Sequence, residues 1–291
     1  MTWLITGGSG KLGLSLQAEL ALQKIDFVSV NSHEMDVTNK LSVGKVFDLV
    51  RPHTVINAAA WTDVDGAETN KPEAHAVNAL GPQNLAAAAI SAGARLVQVS
   101  TDHVFSGPVT VPWDENAEHS PQSVYGLTKS AGEKFVLGLY PTGSYIVRTA
   151  WLYSADRKNF VKTMASLALN GASDVRVVND QIGQPTFTSD LAKQIVSLVL
   201  SDSPMGIYHG TSSGQTTRFD FAKEIFRLCG ADVSRVIPVP SSEYPTQAIR
   251  PSYSVLSHNA WANTKVQPIR NWQIALAEAM PSIISAVKLE G

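Results

Sequence analysis

Gly7, Gly10 and Gly13 sit in the run Ile5-Thr6-Gly7-Gly8-Ser9-Gly10-Lys11-Leu12-Gly13, directly after an apolar, strand-like start. Glycines at that spacing let a backbone turn tightly and approach a pyrophosphate at a helix N-terminus, whose free N–H groups attract anions. Far downstream, Tyr125 and Lys129 stand four apart in Tyr-Gly-Leu-Thr-Lys, so on a helix both project from one face. A tyrosine in water titrates near pH ~10, and an adjacent ammonium favours the phenolate, which makes such a pair a proton-transfer device. Thr101, in Val99-Ser100-Thr101-Asp102, adds a hydroxyl able to share a substrate oxygen with Tyr125. Each piece alone is commonplace: a turn, a surface tyrosine and lysine, a strand-end threonine. Together and in this order they describe a dinucleotide cradle followed by a proton donor, as in a nicotinamide-dependent enzyme.

The elements that must position these groups alternate along the first half of the chain. Residues 2–6, 27–30, 54–57, 96–100 and 145–148 read as strands, and 12–23, 40–50, 72–92 and 123–139 as helices. That alternation predicts an α/β fold of the doubly wound, Rossmann type, a parallel sheet with helices on both faces. The strands end in small or polar residues, as expected where a sheet's carboxyl edge faces a ligand. After Ala150 the pattern loosens into helices at 160–169, 191–200 and 217–229, a strand at 175–178 and an ordered loop holding Pro238, Pro240, Pro245 and Pro251. The reading is a dinucleotide-binding domain over 1–150 and a smaller, partly interleaved α/β substrate domain over 151–291. Some of the later chain, about 179–202, is expected to return to the first domain.

Composition narrows the function class. The 291 residues carry a formal net charge of -2, which gives no broad cationic field and disfavours nucleic-acid or anionic-membrane partners. A lone cysteine, Cys229, excludes an internal disulfide framework and fits a reducing compartment. Apolar runs stop short of membrane-spanning length, and Met1-Thr2-Trp3 leads straight into the first strand without a signal-peptide layout, so a cytoplasmic enzyme is expected. The histidines form no pair at metal-ligand helical spacing, so no catalytic metal is expected.

The cofactor can be read further. A strict NAD enzyme commonly places Asp or Glu at the end of the second strand, on the ribose 2′-hydroxyl. Here that stretch reads Val30-Asn31-Ser32-His33, with Glu34 only beyond it. Lys11, Ser32 and His33 favour NADPH, and NADH stays open. Asp36-Val37 offers a carboxylate to an adenine amino group, or simply caps a helix. Ala58, Ala59 and Ala60 let a cofactor lie against bare backbone, or serve tight strand–helix packing. The expected cofactor set is therefore Gly7, Gly10, Lys11, Leu12, Gly13, Asp36, Val37, Ala58, Ala59, Ala60, Tyr125 and Lys129.

These motifs resemble the extended short-chain dehydrogenase/reductases. The narrower likeness is to the dTDP-4-dehydrorhamnose reductases, carried by Thr62-Asp63-Val64-Asp65-Gly66-Ala67-Glu68, Arg148-Thr149-Ala150-Trp151-Leu152-Tyr153, Asn179-Asp180-Gln181-Ile182-Gly183-Gln184-Pro185-Thr186 and Arg250-Pro251. The likeness runs from about residue 2 to about 260. It implies hydride delivery from NAD(P)H to C4 of a dTDP-linked 4-keto-6-deoxy-L-sugar, giving dTDP-L-rhamnose, a precursor of cell-surface polysaccharide. By the same likeness Tyr125 donates the proton, Lys129 lowers its pKa and holds the nicotinamide ribose, and Thr101 orients the carbonyl. Thr62, Val64, Asp65, Asp102 and Val104 would line the sugar pocket, Trp151 would pack on the sugar, and Arg250 would take the diphosphate.

Two departures bear on partners and reaction. Some members dimerise through a metal held by acidic residues near the first helix, whereas this chain has Leu14-Ser15-Leu16-Gln17 there and only Asp190 after its Pro-Thr motif. A monomer or weak homodimer is expected, without a bridging metal. Sugar-nucleotide dehydratases carry Asp-Glu after the threonine, whereas this chain has Asp102-His103. A C4 epimerase uses much the same trio and stays open, as does a non-catalytic NADP-binding regulatory subunit.

Overall fold

The computed structural model describes residues 1–290. Its first βα units are β1 (Trp3–Thr6), α1 (Lys11–Leu22), β2 (Phe27–Val30), α2 (Lys40–Val50) and β3 (Thr54–Asn57). Next come α3 (Val64–Thr69), α4 (Lys71–His75), α5 (Gly81–Ala92), β4 (Arg95–Thr101), α6 (Val124–Leu139) and β5 (Ser144–Thr149). The second half contributes β6 (Leu152–Tyr153), α7 (Phe160–Asn170), β7 (Val175–Val178), β8 (Ile182–Gly183), β9 (Thr186–Phe187), α8 (Thr188–Leu200) and β10 (Gly206–His209). The chain closes with β11 (Ser212–Ser213), β12 (Thr216–Thr217), α9 (Arg218–Leu228), β13 (Val236–Val239), β14 (Ile269–Asn271) and α10 (Trp272–Glu290).

Six parallel strands form the central sheet in the order β10-β5-β4-β3-β1-β2. Neighbouring residues along each strand face opposite sides, and the chain uses both. Ile5, Ile56, Val97 and Val147 join one core with Leu16 of α1 and Ile195 of α8. Leu4, Val55, Leu96 and Ile146 join the other with Phe47 of α2 and Leu85 of α5. Near-continuous apolar strands are what a sheet covered on both faces requires. The strand order reverses between β1 and β3, and that switch point opens a crevice at the carboxyl edge.

The helix expected over 72–92 is interrupted. Residues Ala76–Leu80 adopt a π-helical turn between α4 and α5, and Asn78 on that turn reaches the Trp61 backbone and the Thr128 hydroxyl. A third core gathers Tyr153, Phe221, Phe226, Trp272 and Leu276 beneath α7, α9 and α10. The chain crosses between the two lobes. Helix α8 lies against α1, where Ser15 Oγ donates to Thr188 Oγ1 at 2.8 Å, and β10 pairs with β5 in the main sheet. Among the described residues no helix is long and apolar enough to cross a membrane.

Candidate active site

A cavity of about 680 Å³ lies at the carboxyl ends of β1, β3, β4 and β5. Its first wall is the glycine loop. Gly7 has φ +67°, and a Cβ there would come 2.7 Å from Ala59 N. Only glycine accepts both that conformation and that approach. Helix α1 starts from Gly10 with no side-chain cap and no acid in its first turn, which leaves its leading N–H groups and the positive end of its dipole unanswered. Thr6 Oγ1 donates to Asn57 Oδ1 at 2.5 Å, and Asn57 Nδ2 donates to Gln98 Oε1 at 2.7 Å, so a buried polar row ties the ends of β1, β3 and β4 together.

Gly7, Gly10, Lys11, Leu12, Gly13, Asp36, Val37, Ala58, Ala59 and Ala60 all border this one cavity, as do Tyr125 and Lys129. Ser32 joins them, whereas His33 does not. Burial pulls the Lys11 ammonium below its usual pKa. One Asp36 oxygen accepts from Thr38 N and Oγ1 at 2.9 and 2.8 Å, an Asx turn that fixes the carboxylate at the cavity edge. Unanswered helix amides, bare Cα surface and one lysine fit a pyrophosphate-bearing dinucleotide.

The candidate catalytic groups Thr101, Tyr125 and Lys129 meet where β4 and α6 come together. Ser123 Oγ accepts from Gly126 N at 3.1 Å and caps α6, which puts Tyr125 in the first turn and Lys129 one turn later. Lys129 Nζ donates to Val99 O at 2.7 Å in a pocket where the residue is 4% exposed. Burial pushes its pKa down to about 8, with the Glu133 carboxylate opposing. The environment of Tyr125 moves its phenol away from neutrality rather than towards it. Burial pushes Tyr125 up to about 12, the Thr101 hydroxyl opposes it and Asp102 adds to it. Removing the phenolate from water outweighs the hydrogen bond from Thr101. Tyr125 is thus held as a phenol, the form that gives a proton away. Thr101 Oγ1 donates to Asp102 Oδ1 at 3.0 Å and accepts from His103 N at 3.2 Å.

Several residues here escaped the sequence reading. The His103 ring meets Tyr125 edge-on, with centroids 5.4 Å apart, and both His103 Nδ1 and Asp102 Oδ2 are buried without a partner. Below Lys129 lies a buried charge network. Arg148 donates from Nε and Nη2 to Glu133 at 2.8–3.1 Å, and each residue is 1% exposed. Ser100 Oγ also donates to Glu133. His119 Nε2 accepts from Arg148 at 2.8 Å while its Nδ1 meets Ser130 Oγ at 2.7 Å, and Arg148 Nη1 donates to Glu115 O at 2.9 Å. Burial alone would raise the Glu133 pKa, but His119, Arg148 and Ser100 outweigh it and hold it at about 2. The signal for Glu133 was its place four residues beyond Lys129 and eight beyond Tyr125, on one helix face.

Of the residues expected to meet the sugar, Thr62, Val64, Thr101, Asp102 and Trp151 line the same cavity. Trp151 has φ +45°, an outlier for a bulky residue. Its indole lies on Gly183, where a Cβ would come within 2.6 Å of the ring. The Arg218 guanidinium stacks over the indole, 3.5 Å from the ring centroid, and this cavity-lining arginine was also missed. Val104 is a correction: it is 0% exposed and packs with Phe105 and Leu256, because the short helical turn 102–104 rotates it into the core. Asp65 and Arg250 meet each other outside the cavity walls. Arg250 Nη2 reaches Asp65 Oδ2 at 2.5 Å, and Asp65 Oδ1 accepts from Ala248 N at 2.9 Å.

Comparison with known proteins converges on one group. The family model described as RmlD substrate binding domain matches residues 1–284. A dTDP-4-keto-6-deoxy-D-glucose reductase of Streptomyces niveus is 46% identical, covering 96% of each chain. A dTDP-4-dehydrorhamnose reductase of Streptomyces griseus is 43% identical, over 97% of this chain and 93% of its own. The crystal structure of dTDP-4-dehydrorhamnose reductase from Bacillus anthracis in complex with NADP superposes with a TM-score of 0.92 at 38% identity, covering 96% of this chain and 98% of that one. A doubly wound sheet with its glycine loop, tyrosine and lysine on one cavity agrees with that match, and the chain belongs to the RmlD family, that of the dTDP-4-dehydrorhamnose reductases.

Proposed function

We propose that this chain reduces the C4 carbonyl of dTDP-4-dehydrorhamnose to the alcohol of dTDP-L-rhamnose, with NADPH preferred over NADH. The single observation that carries the reading is the convergence of Thr101, Tyr125 and Lys129 on the cavity bordered by the glycine cradle. When bound, the cofactor supplies a hydride. Tyr125, a phenol across the neutral range, gives its proton to the carbonyl oxygen as negative charge develops there. Thr101 turns its hydroxyl from Asp102 towards the same oxygen and fixes its direction. Lys129 holds positive charge beneath the site and offers donors to a ribose hydroxyl. Trp151 forms the apolar wall for the sugar, and the absence of a carboxylate at the end of β2 supports NADPH.

The test is NADPH oxidation with dTDP-4-keto-6-deoxyglucose, with and without a 3,5-epimerase that generates the L-sugar in place. Oxidation that requires the epimerase supports the reading, and NADH in a parallel arm ranks the cofactors. The 46% identical relative is named for the D-gluco substrate, which favours a second reading in which the unepimerised ketone is reduced. Oxidation without epimerase selects that reading. No oxidation in either arm, with the cofactor bound, overturns both.

A further inference from the structure

Arg218 stands where an arginine is poorly placed for stability. It is the first residue of α9, at the positive end of that helix, with Thr217 as the cap. The side chain lines the catalytic cavity, and among the described residues no carboxylate or carbonyl accepts a hydrogen bond from its guanidinium. Two aromatic rings hold it instead: Trp151 at 3.5 Å and Phe160 at 5.3 Å from their centroids. Such a stack orients a guanidinium plane and leaves its edge, with its fork of N–H donors, free. Burial and the nearby Arg250 both disfavour its charge, and Asp102 favours it. The arginine thus lies within electrostatic reach of Asp102, next to the catalytic threonine, and of Arg250, which is already paired with Asp65.

In a nucleotide sugar, the segment between the reacting ring and the nucleoside is the diphosphate. We propose that Arg218 is a substrate-binding residue of this chain that takes the sugar-proximal phosphate of the diphosphate through the free edge of its guanidinium, while Trp151 holds its plane. An anion there answers the unpaired charge with paired, charge-assisted hydrogen bonds. This assignment rests on the nucleotide-sugar reading of the cavity.

The test compares wild type with Arg218→Gln, which removes the charge, and Arg218→Lys, which keeps the charge but loses the plane. Inhibition by dTDP and by thymidine is measured against the sugar nucleotide, together with NADPH affinity. The expected result is a dTDP inhibition constant and substrate KM raised about 10–100-fold in Arg218→Gln, the scale of a lost charged hydrogen-bond pair, with a smaller rise in Arg218→Lys. Thymidine inhibition and NADPH affinity stay within about twofold, since neither the nucleoside nor the glycine cradle contacts this residue in the proposed pose. Unchanged dTDP inhibition in Arg218→Gln, or equal weakening of dTDP and thymidine, overturns the assignment, the latter because it reports a disturbed Trp151 wall. Wild type that binds no dTDP overturns the nucleotide-sugar reading and this assignment with it. Wild type that binds dTDP alongside an indifferent variant overturns this assignment alone.

Discussion

Replacing Glu133 by glutamine tests how the fold holds the buried charges beneath Lys129. Glu133 and Arg148 are each 1% exposed and joined by bonds of 2.8–3.1 Å, so the variant leaves a buried guanidinium facing an amide. Breaking a buried pair on one side costs about 3–5 kcal/mol. Arg148 keeps the Glu115 carbonyl and the two histidine acceptors, which puts the expected loss near the lower end. The pKa gives a similar figure, since a fall from 4.5 to about 2 on folding corresponds to roughly 3 kcal/mol. A carboxylate depressed in the folded state contributes stability above its unfolded pKa and loses it as pH falls through its folded one. The gap between wild type and Glu133→Gln in urea unfolding is therefore full at pH 7 and closes as pH drops from about 4.5 towards 2. The double variant Glu133→Leu/Arg148→Met, which removes both charges, is expected to lose less than the single one. A single-variant loss below about 1 kcal/mol, or a gap indifferent to acid, refutes the reasoning.

Other perturbations address the chemistry. Tyr125→Phe lowers kcat by about 10²-fold or more and leaves the NADPH dissociation constant within twofold; near-wild-type turnover refutes the proton-donor role. Lys129, pushed down to about 8, is an ammonium only below that pH, so kcat/KM for reduction falls as pH rises through about 8. Lys129→Met flattens that limb, and Glu133→Gln, by removing the opposing carboxylate, moves it to lower pH; a limb unchanged in both contradicts the assignment. Gly7→Ala forces a Cβ against the Ala58–Ala59 backbone at φ +67° and raises the NADPH dissociation constant about 10–100-fold, read by fluorescence titration.

Much of this architecture was legible because it is local. The first five strands sit within a residue of their expected ends, since each is a short apolar run set off by turn residues. Strand β10 was not legible: Gly206-Ile-Tyr-His is four residues long, and only the neighbouring β5 makes it a strand. The long helix 72–92 gave no sign of its break, because the π turn is stabilised by contacts from Asn78 to Trp61 and Thr128, distant in sequence. The same division holds for the site. Gly7 and Tyr125 announce themselves by spacing, whereas Arg218 reads as a solvated helix-start cation until α9 carries it onto Trp151. Val104 read as pocket lining because it follows Thr101 closely, yet one helical turn is enough to bury it.

Hydride delivery to C4 of the sugar defines the proposed reaction. NADPH deuterated at the nicotinamide C4, on each face in turn, is incubated with the protein and dTDP-4-dehydrorhamnose, and the product is read by NMR. Deuterium is expected at the sugar C4 from one of the two labelled faces, in dTDP-L-rhamnose formed one for one with oxidised cofactor. Label appearing at another carbon, or sugar turnover without net cofactor oxidation as an epimerase would give, contradicts that reaction.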